Sequence, residues 1–171
     1  YGLVGSEMCI RDSIDIDNNG IVLKARTPAM MINAIYTLIQ MSYLQDQPEI
    51  LPAVKIEDSP RFGYRGIMLD VSRHFMPFAS LKKFVDVMAI YKFNRLHWHL
   101  TDGAGWRLEI HKYPELTQKA AWRTHSSWKE WWNNGRQYVE QGTPNASGGY
   151  YTQDQACLLY TSPSPRDRTR S

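Results

Sequence analysis

Side chains able to do chemistry are concentrated in two short segments of the chain, residues 70–74 and 97–106. His97 and His99 are two residues apart, which places both imidazoles on the same side of an extended strand, and Asp102 follows soon after. Imidazole and carboxylate groups at such spacing are typical of a divalent metal site at a strand end. That site needs further ligands, so the pattern leaves a metal centre open without requiring one.

The elements that must position these residues are a strand, a helix and a second strand. Residues 65–71 form a short apolar run suited to a strand buried on both faces, and residues 95–100 predict the next strand. Between them, after Pro77, apolar residues recur at helical spacing from Leu81 to Ala89. This order predicts a parallel α/β architecture with a right-handed crossover, whose functional groups lie at residues 70–74 and 101–106.

The preceding part of the chain has a different pattern. Residues 14–17 and 21–23 alternate or run apolar around an Asn-Asn-Gly turn, which predicts a hairpin. Thr27 is a good N-cap with Pro28 at the first helical position, and the helical spacing that follows ends near residues 46–48. Residues 47–60 contain three prolines and have the composition of an extended linker between two domains.

Composition limits the classes of protein that this chain can belong to. Its 171 residues are 43% hydrophobic, which suffices for a buried core and excludes a disordered chain. The net charge of +3 comes from 20 basic and 17 acidic residues without a central basic block, so we expect no nucleic-acid partner. No apolar run approaches the ~18 residues of a membrane span, so we expect none.

The two ends of the chain are related to each other at the level of DNA. Residues 157–167, back-translated with one permitted codon choice, reverse-complemented and shifted in frame, read as residues 3–13. The ends resemble a transposase-type sequencing adapter translated in both orientations, whereas the alternative is a natural inverted repeat in the gene. We therefore expect a biological insert of residues 14–156 that is a fragment without its native N-terminus. Cys9 and Cys157 both lie in the adapter-like ends.

Seven ordered motifs in the insert resemble a known family. Together they look like the opening of the catalytic barrel of glycoside hydrolase family 20, the β-N-acetylhexosaminidases. The motifs are DSPRF (58–62), YRG (64–66), LDVSRHF (69–75), MAIYKFN (88–94), LHWHLTD (96–102), GWRLEI (105–110) and YPEL (113–116). Several motifs in order are far more specific than any one of them, and the resemblance extends from about residue 14 to residue 153.

The resemblance implies a (β/α)8 barrel preceded by a small accessory domain. We therefore predict an α/β fold in which residues 56–156 are the truncated start of a (β/α)8 TIM barrel, with its first two strands. Residues 14–55 are then the end of an N-terminal α+β accessory domain, and residues 1–13 and 157–171 are adapter-like artefacts. A complete barrel needs ~250 residues, more than this chain has.

The activity implied by the resemblance is retaining, exo-acting hydrolysis of terminal N-acetylhexosamine. In this family the substrate's own 2-acetamido oxygen attacks the anomeric carbon, an Asp orients that group, and the adjacent Glu is the general acid and base. The insert contains no adjacent Asp-Glu pair, so we expect the pair beyond the fragment and the fragment itself to be inactive. The resemblance implies neither a cofactor nor a metal.

Two residues of the insert are candidate site residues by resemblance. Arg73 matches an arginine that hydrogen-bonds hydroxyls of the terminal sugar, a task suited to the guanidinium fork, although a structural ion pair with Asp70 is the alternative. Asp102 matches the first acid of a turn whose network positions the general acid and tunes its pKa, and the alternative is a simple turn residue. The rest of that turn departs from the family pattern at Gly103 and Ala104, so neither receives a role.

The segment after Tyr113 is rich in aromatic residues, including Trp128, Trp131 and Trp132. It could supply an outer sugar subsite, but a small core of the loop's own is the favoured interpretation. Arg107 and Glu109 are predicted to brace this loop, and residues 152–155 (Thr-x-x-Gln) resemble a capping box that begins a helix.

Three hypotheses for the parent protein remain open. It is a β-N-acetylhexosaminidase, a non-catalytic family member that binds N-acetylated sugars, or a metal-dependent amidohydrolase-type barrel using His97 and His99. The first implies partners that are oligosaccharides or glycoconjugates ending in GlcNAc or GalNAc. It also implies a periplasmic or extracellular location, while the sequence leaves the oligomeric state undetermined.

Overall fold

The computed structural model describes residues 12–44 and 50–161. These residues fold into two compact units. The first unit contains the described residues up to Arg65 together with Asp86–Arg95, and the second contains Gly66–Val85 and the residues from Leu96 onward.

The first unit begins with the predicted hairpin, which is confirmed. Strands β1 (Asp12–Asp17) and β2 (Gly20–Ala25) pair antiparallel. Asp17 Oδ1 accepts hydrogen bonds from the backbone N–H groups of Asn19 (2.7 Å) and Gly20 (3.1 Å), and Gly20 has a φ of 143° that disfavours other residues. Strand β1 begins at Asp12, two residues before the predicted start of the insert.

The predicted helix after the hairpin is also confirmed. Helix α1 spans Pro28–Tyr43, and the Thr27 hydroxyl caps it by accepting a hydrogen bond from the Met30 amide at 3.3 Å. Ala34 on this helix is fully buried and belongs to one apolar cluster with Ile14 and Ile16 of β1.

The linker predicted over residues 47–60 is wrong for its second half. Residues Val54–Asp58 form strand β3, which pairs antiparallel with β1 and completes a sheet of order β2-β1-β3. Val54 and Ile56 pack on the apolar cluster while Lys55 and Glu57 are exposed, a two-residue period that the neighbouring prolines obscure. The predicted domain boundary between residues 55 and 56 falls inside this strand.

The predicted strand–helix–strand order is present from Gly66 onward. Strand β4 (Gly66–Asp70), helix α2 (Phe78–Ile90) and strand β5 (Arg95–His99) follow one another, and β4 and β5 are neighbours in one sheet. Val71 and Leu81 are fully buried and form an apolar core with Tyr151, against which Trp98 packs. This order confirms a mixed α/β fold.

Short elements fill the rest of the second unit. Strands β6 (Thr101–Asp102) and β7 (Gly105–Trp106) form a hairpin, and β8 (Trp122–Arg123) pairs with β9 (Ser147–Gly148). Helices α3 (Glu115–Gln118) and α4 (Trp128–Asn133) flank β8. None of the helices in the described part of the chain is long and apolar enough to cross a membrane.

Helix α5 (Gln153–Thr161) begins at the predicted capping box, which is confirmed. The Thr152 hydroxyl accepts from the Gln155 amide, and the Gln155 side chain accepts from the Thr152 amide, both at 3.1 Å. The helix continues past the predicted end of the insert at Ala156, and Leu159 is buried in the core of this unit. The adapter origin of residues 157–171 stays a prediction.

Candidate functional site

Arg73 lies in the turn directly after β4 and bridges two carboxylates. Its backbone N–H donates to Asp70 Oδ1 at 3.0 Å, and its Nη1 forms an ion pair with Asp70 Oδ2. Its Nη2 lies 3.0 Å from Asp102 Oδ2, in the β6–β7 hairpin. The ion pair with Asp70, given above as the alternative role of Arg73, is therefore present. Because 47% of the Arg73 side chain is exposed, the guanidinium also faces solvent.

Asp102 has hydrogen-bond partners on both carboxylate oxygens. Its Oδ1 accepts from the Gly103 backbone N–H at 2.6 Å, and its Oδ2 is 3.1 Å from His99 Nε2 in addition to Arg73. The hairpin that carries Asp102 is tied to the β4 turn, since the buried Ser72 hydroxyl donates to the Gly105 carbonyl at 2.8 Å. Arg73, Asp70, Asp102 and His99 thus form one polar cluster.

The electrostatics of this cluster favour its charged forms. Hydrogen bonds from the Gly103 amide and from His99 hold the pKa of Asp102 below its ordinary range. Burial opposes ionisation of Asp70, but hydrogen bonds from Arg73 outweigh it and lower the pKa of that carboxyl as well. The same bond to Asp70 raises the pKa of Arg73. Since Asp102 is ionised, it can only accept, so His99 donates to it through a protonated Nε2.

Arg107 fixes the backbone beneath this cluster. Its side chain is buried and donates to the carbonyls of Val71 (3.0 Å), Ser72 (2.9 Å), Gly149 (3.2 Å) and Ala121. Burial lowers the pKa of Arg107 to about 10, so it remains a cation at neutral pH. A β-carbon on Gly105 would lie 2.5 Å from the Arg107 guanidinium, which explains a glycine in strand β7.

The predicted bracing role of Arg107 is therefore confirmed. Glu109 has the same kind of role, because its Oε2 accepts from the Gln153 amide at 3.0 Å at the start of helix α5.

The metal hypothesis finds little support in the geometry. The imidazole rings of His97 and His99 have centroids 6.0 Å apart, and His99 is engaged with Asp102. Among residues 12–44 and 50–161, no group of three or more His, Cys, Asp or Glu side chains is arranged to hold a metal ion. His97 and His99 therefore lack the further ligands that a metal site needs within this part of the chain.

The aromatic loop has a small core of its own, as predicted. Trp131 is 1% exposed, and its Nε1 donates to the Gln137 carbonyl at 2.9 Å. Its ring lies 5.5 Å from that of Tyr138 and 5.7 Å from the Arg123 guanidinium carbon. Trp128 and Trp132, in contrast, remain exposed on the same helix.

Two side chains that contact the site went unpredicted. Ser72 lies within the 69–75 motif, and the position of its hydroxyl directly after a buried strand could have indicated a contact with the site. The Tyr138 hydroxyl donates to the Gly103 carbonyl at 2.5 Å, beside Asp102. This contact joins residues 35 positions apart, and no local sequence pattern around Tyr138 predicts it.

Comparison with known proteins identifies the family to which this chain is similar. The family model described as glycosyl hydrolase family 20, catalytic domain, matches residues 62–161. The chain is 38% identical over 146 residues to a β-hexosaminidase of Porphyromonas gingivalis, covering 81% of this chain and 17% of that protein. It is 53% identical over 96 residues to a β-hexosaminidase of Akkermansia muciniphila, covering 54% of this chain and 20% of that one.

A solved structure agrees with the sequence matches. The family 20 exo-β-N-acetylglucosaminidase of Vibrio harveyi, in complex with N-acetylglucosamine, superposes with a TM-score of 0.74 at 30% identity. The match covers 91% of this chain and 24% of that one. The chain spans about a fifth of the length of the curated relatives that it matches.

Proposed function

The chain belongs to glycosyl hydrolase family 20, and on this premise we propose that the whole protein is an exo-acting β-N-acetylhexosaminidase. The observation that carries the proposal is the bridge of Arg73 between Asp70 and Asp102, with its guanidinium half exposed at the ends of two neighbouring strands. Relatives named β-hexosaminidase, and one solved in complex with N-acetylglucosamine, support terminal N-acetylhexosamine as the substrate.

The proposed architecture is a (β/α)8 barrel of which β4 and β5 are the first two strands. Three features support it: the β4–α2–β5 order, the adjacency of β4 and β5, and the position of Arg73 directly after β4. In such barrels the active site lies at the carboxyl ends of the strands. The unit made of β1, β2, β3 and α1 is then the end of an accessory domain.

Arg73 is proposed to bind hydroxyl groups of the terminal sugar. A guanidinium carries five N–H donors in a planar fork, and Asp70 and Asp102 engage its two terminal nitrogens. Both carboxylates are ionised at neutral pH, so they fix the fork in one orientation before the sugar arrives. This preorganisation lowers the conformational entropy lost on binding.

Asp102 is proposed to belong to the network that positions the general acid. With Gly103, His99 and Arg73 as donors, its carboxylate is held in place by residues of this chain. A carboxylate fixed in this way can orient the groups that hydrogen-bond to it, which is how such a network positions an acid. Asp102 is a positioning residue in this scheme.

The proposed reaction retains the anomeric configuration and uses the substrate as its own nucleophile. The 2-acetamido oxygen attacks the anomeric carbon while the general acid donates a proton to the leaving oxygen. The same residue, now a base, takes a proton from the water that opens the oxazolinium ring. The Asp-Glu pair for these steps is proposed to lie beyond this chain.

The test begins with the source DNA, which is read outward through residues 14 and 156. The whole protein is then assayed with 4-nitrophenyl N-acetyl-β-D-glucosaminide. We expect hydrolysis with retention, and a loss of at least about tenfold in kcat/KM for Arg73→Met, since one charged hydrogen bond contributes ~1.5–3 kcal/mol. The control variant Lys119→Met, at an exposed side chain, should leave kcat/KM unchanged.

Two other outcomes would contradict the proposal. Sugar binding without hydrolysis, in a protein that lacks the Asp-Glu pair, would identify a non-catalytic family member. Genomic DNA that encodes the two adapter-like ends and contains no Asp-Glu pair downstream would contradict both the predicted insert and the proposed hydrolysis.

A further inference from the structure

Helix α4 presents two tryptophan rings to solvent. Trp128 and Trp132 are 39% and 46% exposed, and their ring centroids lie 5.1 Å apart at an interplanar angle of 32°. The guanidinium of Arg136 lies 3.9 Å from the centre of the Trp132 ring. We call these three residues the tryptophan surface. Single exposed apolar side chains are common, whereas two exposed tryptophan rings in contact form one contiguous apolar surface.

The fold holds these rings in place. Trp131 lies between them in sequence but points into the loop core, where it is 1% exposed and bonded to the Gln137 carbonyl. The Ser127 hydroxyl caps the start of the helix. Because Trp131 anchors the helix, the backbone that carries Trp128 and Trp132 is held in place, which lowers the conformational entropy lost on binding.

The chain reverses sharply to bring Arg136 over Trp132. Gly135 and Arg136 have φ values of 83° and 54°, and the left-handed conformation is uncommon for an arginine. The Arg136 amide donates to the Trp131 carbonyl at 3.0 Å, which fixes this turn. The result is an aromatic surface beside a cation with several N–H donors.

Tyr138 links the loop that carries the tryptophan surface to the candidate site. This residue follows Arg136 by two positions, and its hydroxyl donates to the Gly103 carbonyl, next to Asp102. The loop that carries α4 is therefore attached to the turn that carries Asp102. A ligand that extends outward from Arg73 and Asp102 has this loop as a neighbouring surface.

We propose that the tryptophan surface binds a sugar ring of a neutral, β-linked N-acetylhexosamine oligosaccharide, outside the position of the terminal residue. The identity of the sugar rests on the proposed function. Because Trp132 already packs against Trp128 and lies under the Arg136 guanidinium, Trp128 is the ring on which the C–H face of a pyranose can stack. The hydroxyl and acetamido oxygens of the sugar then accept hydrogen bonds from the guanidinium. A surface of rings and N–H donors matches both parts of such a sugar.

The direct test observes the indole N–H signals of the 171-residue chain by NMR during titration with chitotetraose. The chain has six tryptophans, and the indoles of Trp106, Trp122 and Trp131 donate to backbone carbonyls. We expect saturable shifts of the Trp128 and Trp132 signals, assigned by Trp→Phe variants. Maltotetraose, an α-linked glucan without acetamido groups, should leave both signals unchanged.

Variants separate this surface from the candidate site and from folding effects. Trp128→Ala and Trp132→Ala should each weaken chitotetraose binding about tenfold, which is 1.4 kcal/mol. Trp132→Phe should recover part of the affinity, and Tyr91→Ala, an exposed aromatic control in the first unit, should have no effect. In Arg73→Met the two indole signals should still shift. An absence of shifts in the folded chain, or equal shifts with maltotetraose, would overturn the proposal.

The whole protein distinguishes failure of this proposal from failure of the proposed function. If the protein hydrolyses N-acetyl-β-hexosaminides, the ratio of kcat/KM for chitotetraose to that for the 4-nitrophenyl monosaccharide should fall about tenfold in Trp128→Ala. If hydrolysis is intact and this ratio is unchanged, the proposed sugar binding by the tryptophan surface is rejected and the proposed function is not. Indole shifts in a protein without hydrolysis reject the proposed function and leave the surface standing.

Discussion

Replacing Arg107 by methionine should destabilise the second unit strongly, although the residue touches no proposed ligand. Methionine fills a similar volume but donates no hydrogen bond. The carbonyls of Val71, Ser72 and Gly149 would lose the guanidinium as donor, whereas the Ala121 carbonyl keeps the Gly149 amide. The change thus removes the charge and leaves three buried acceptors without the partner they have now.

The expected magnitude follows from those three carbonyls. A buried acceptor left unsatisfied costs ~1–3 kcal/mol. The lower end of this range applies, because the substitution also removes the cost of burying the cation, which is what lowers the pKa of Arg107 to about 10. Three carbonyls at that end give about 3 kcal/mol. For a chain of this size such a loss lowers the Tm by roughly 6–12 °C.

Thermal unfolding followed by near-ultraviolet circular dichroism measures this effect, since the tryptophans of the second unit report its packing. Arg107→Lys should fall between wild type and Arg107→Met, because one ammonium group cannot reach all the carbonyls that the fork does. Lys119→Met, at a side chain that is 51% exposed, is the matched control and should shift the Tm by less than about 2 °C. A Tm within that same margin for Arg107→Met would refute the reasoning.

Two pH dependences follow from the same structure. Asp70 and Asp102 both have pKa values below the ordinary 3.8, so their contribution to stability is complete above that pH and is lost as the pH falls through the pKa values of the folded protein. The carboxyl carbon chemical shifts of both residues should therefore titrate with midpoints below 3.8. A midpoint above 3.8 for either residue would contradict the Arg73 bridge. Burial raises the pKa of Tyr151 to about 12, so its contribution declines as the pH rises from 10 to 12. Absorbance at 295 nm should detect a late component near pH 12 that Tyr151→Phe removes, whereas Tyr138, whose pKa burial also raises, remains in that variant. The absence of any component lost in Tyr151→Phe above pH 10 would be evidence against the burial of Tyr151.

Local sequence signals were sufficient for most elements of the fold. Thr27 followed by Pro28 marked the start of α1, and the apolar spacing from Leu81 to Ala89 marked α2, because these signals arise within one or two helical turns. Strand β3 escaped prediction because its five residues, Val54–Asp58, lie between prolines and gain their stability from pairing with β1. That pairing joins residues about 40 positions apart, which no local window contains.

The contacts of the candidate site also divide into those that the sequence could predict and those that depend on tertiary structure. The family resemblance predicted a sugar-binding role for Arg73 and a positioning role for Asp102, and both roles stay predictions. Their ion pair could be anticipated from the β4–α2–β5 order, which places the ends of two neighbouring strands side by side. The contacts of Tyr138 with the Gly103 carbonyl and of Ser72 with the Gly105 carbonyl depend on how the loop folds back. Arg107 was predicted to brace the loop, but only the structure shows which carbonyls it holds.

The pairing of β8 with β9 has a consequence for how this region can change in length. Trp122 pairs with Gly148 and Arg123 with Ser147, so the two ends of the intervening segment are fixed as neighbours. Arg107 holds the adjoining carbonyls of Ala121 and Gly149. Closing a loop twice as long between fixed ends costs only ~0.6 kcal/mol more. Insertions within residues 142–146 therefore add little to the cost of closing the loop, and they leave in place Tyr138 and its contact with the Gly103 carbonyl beside Asp102.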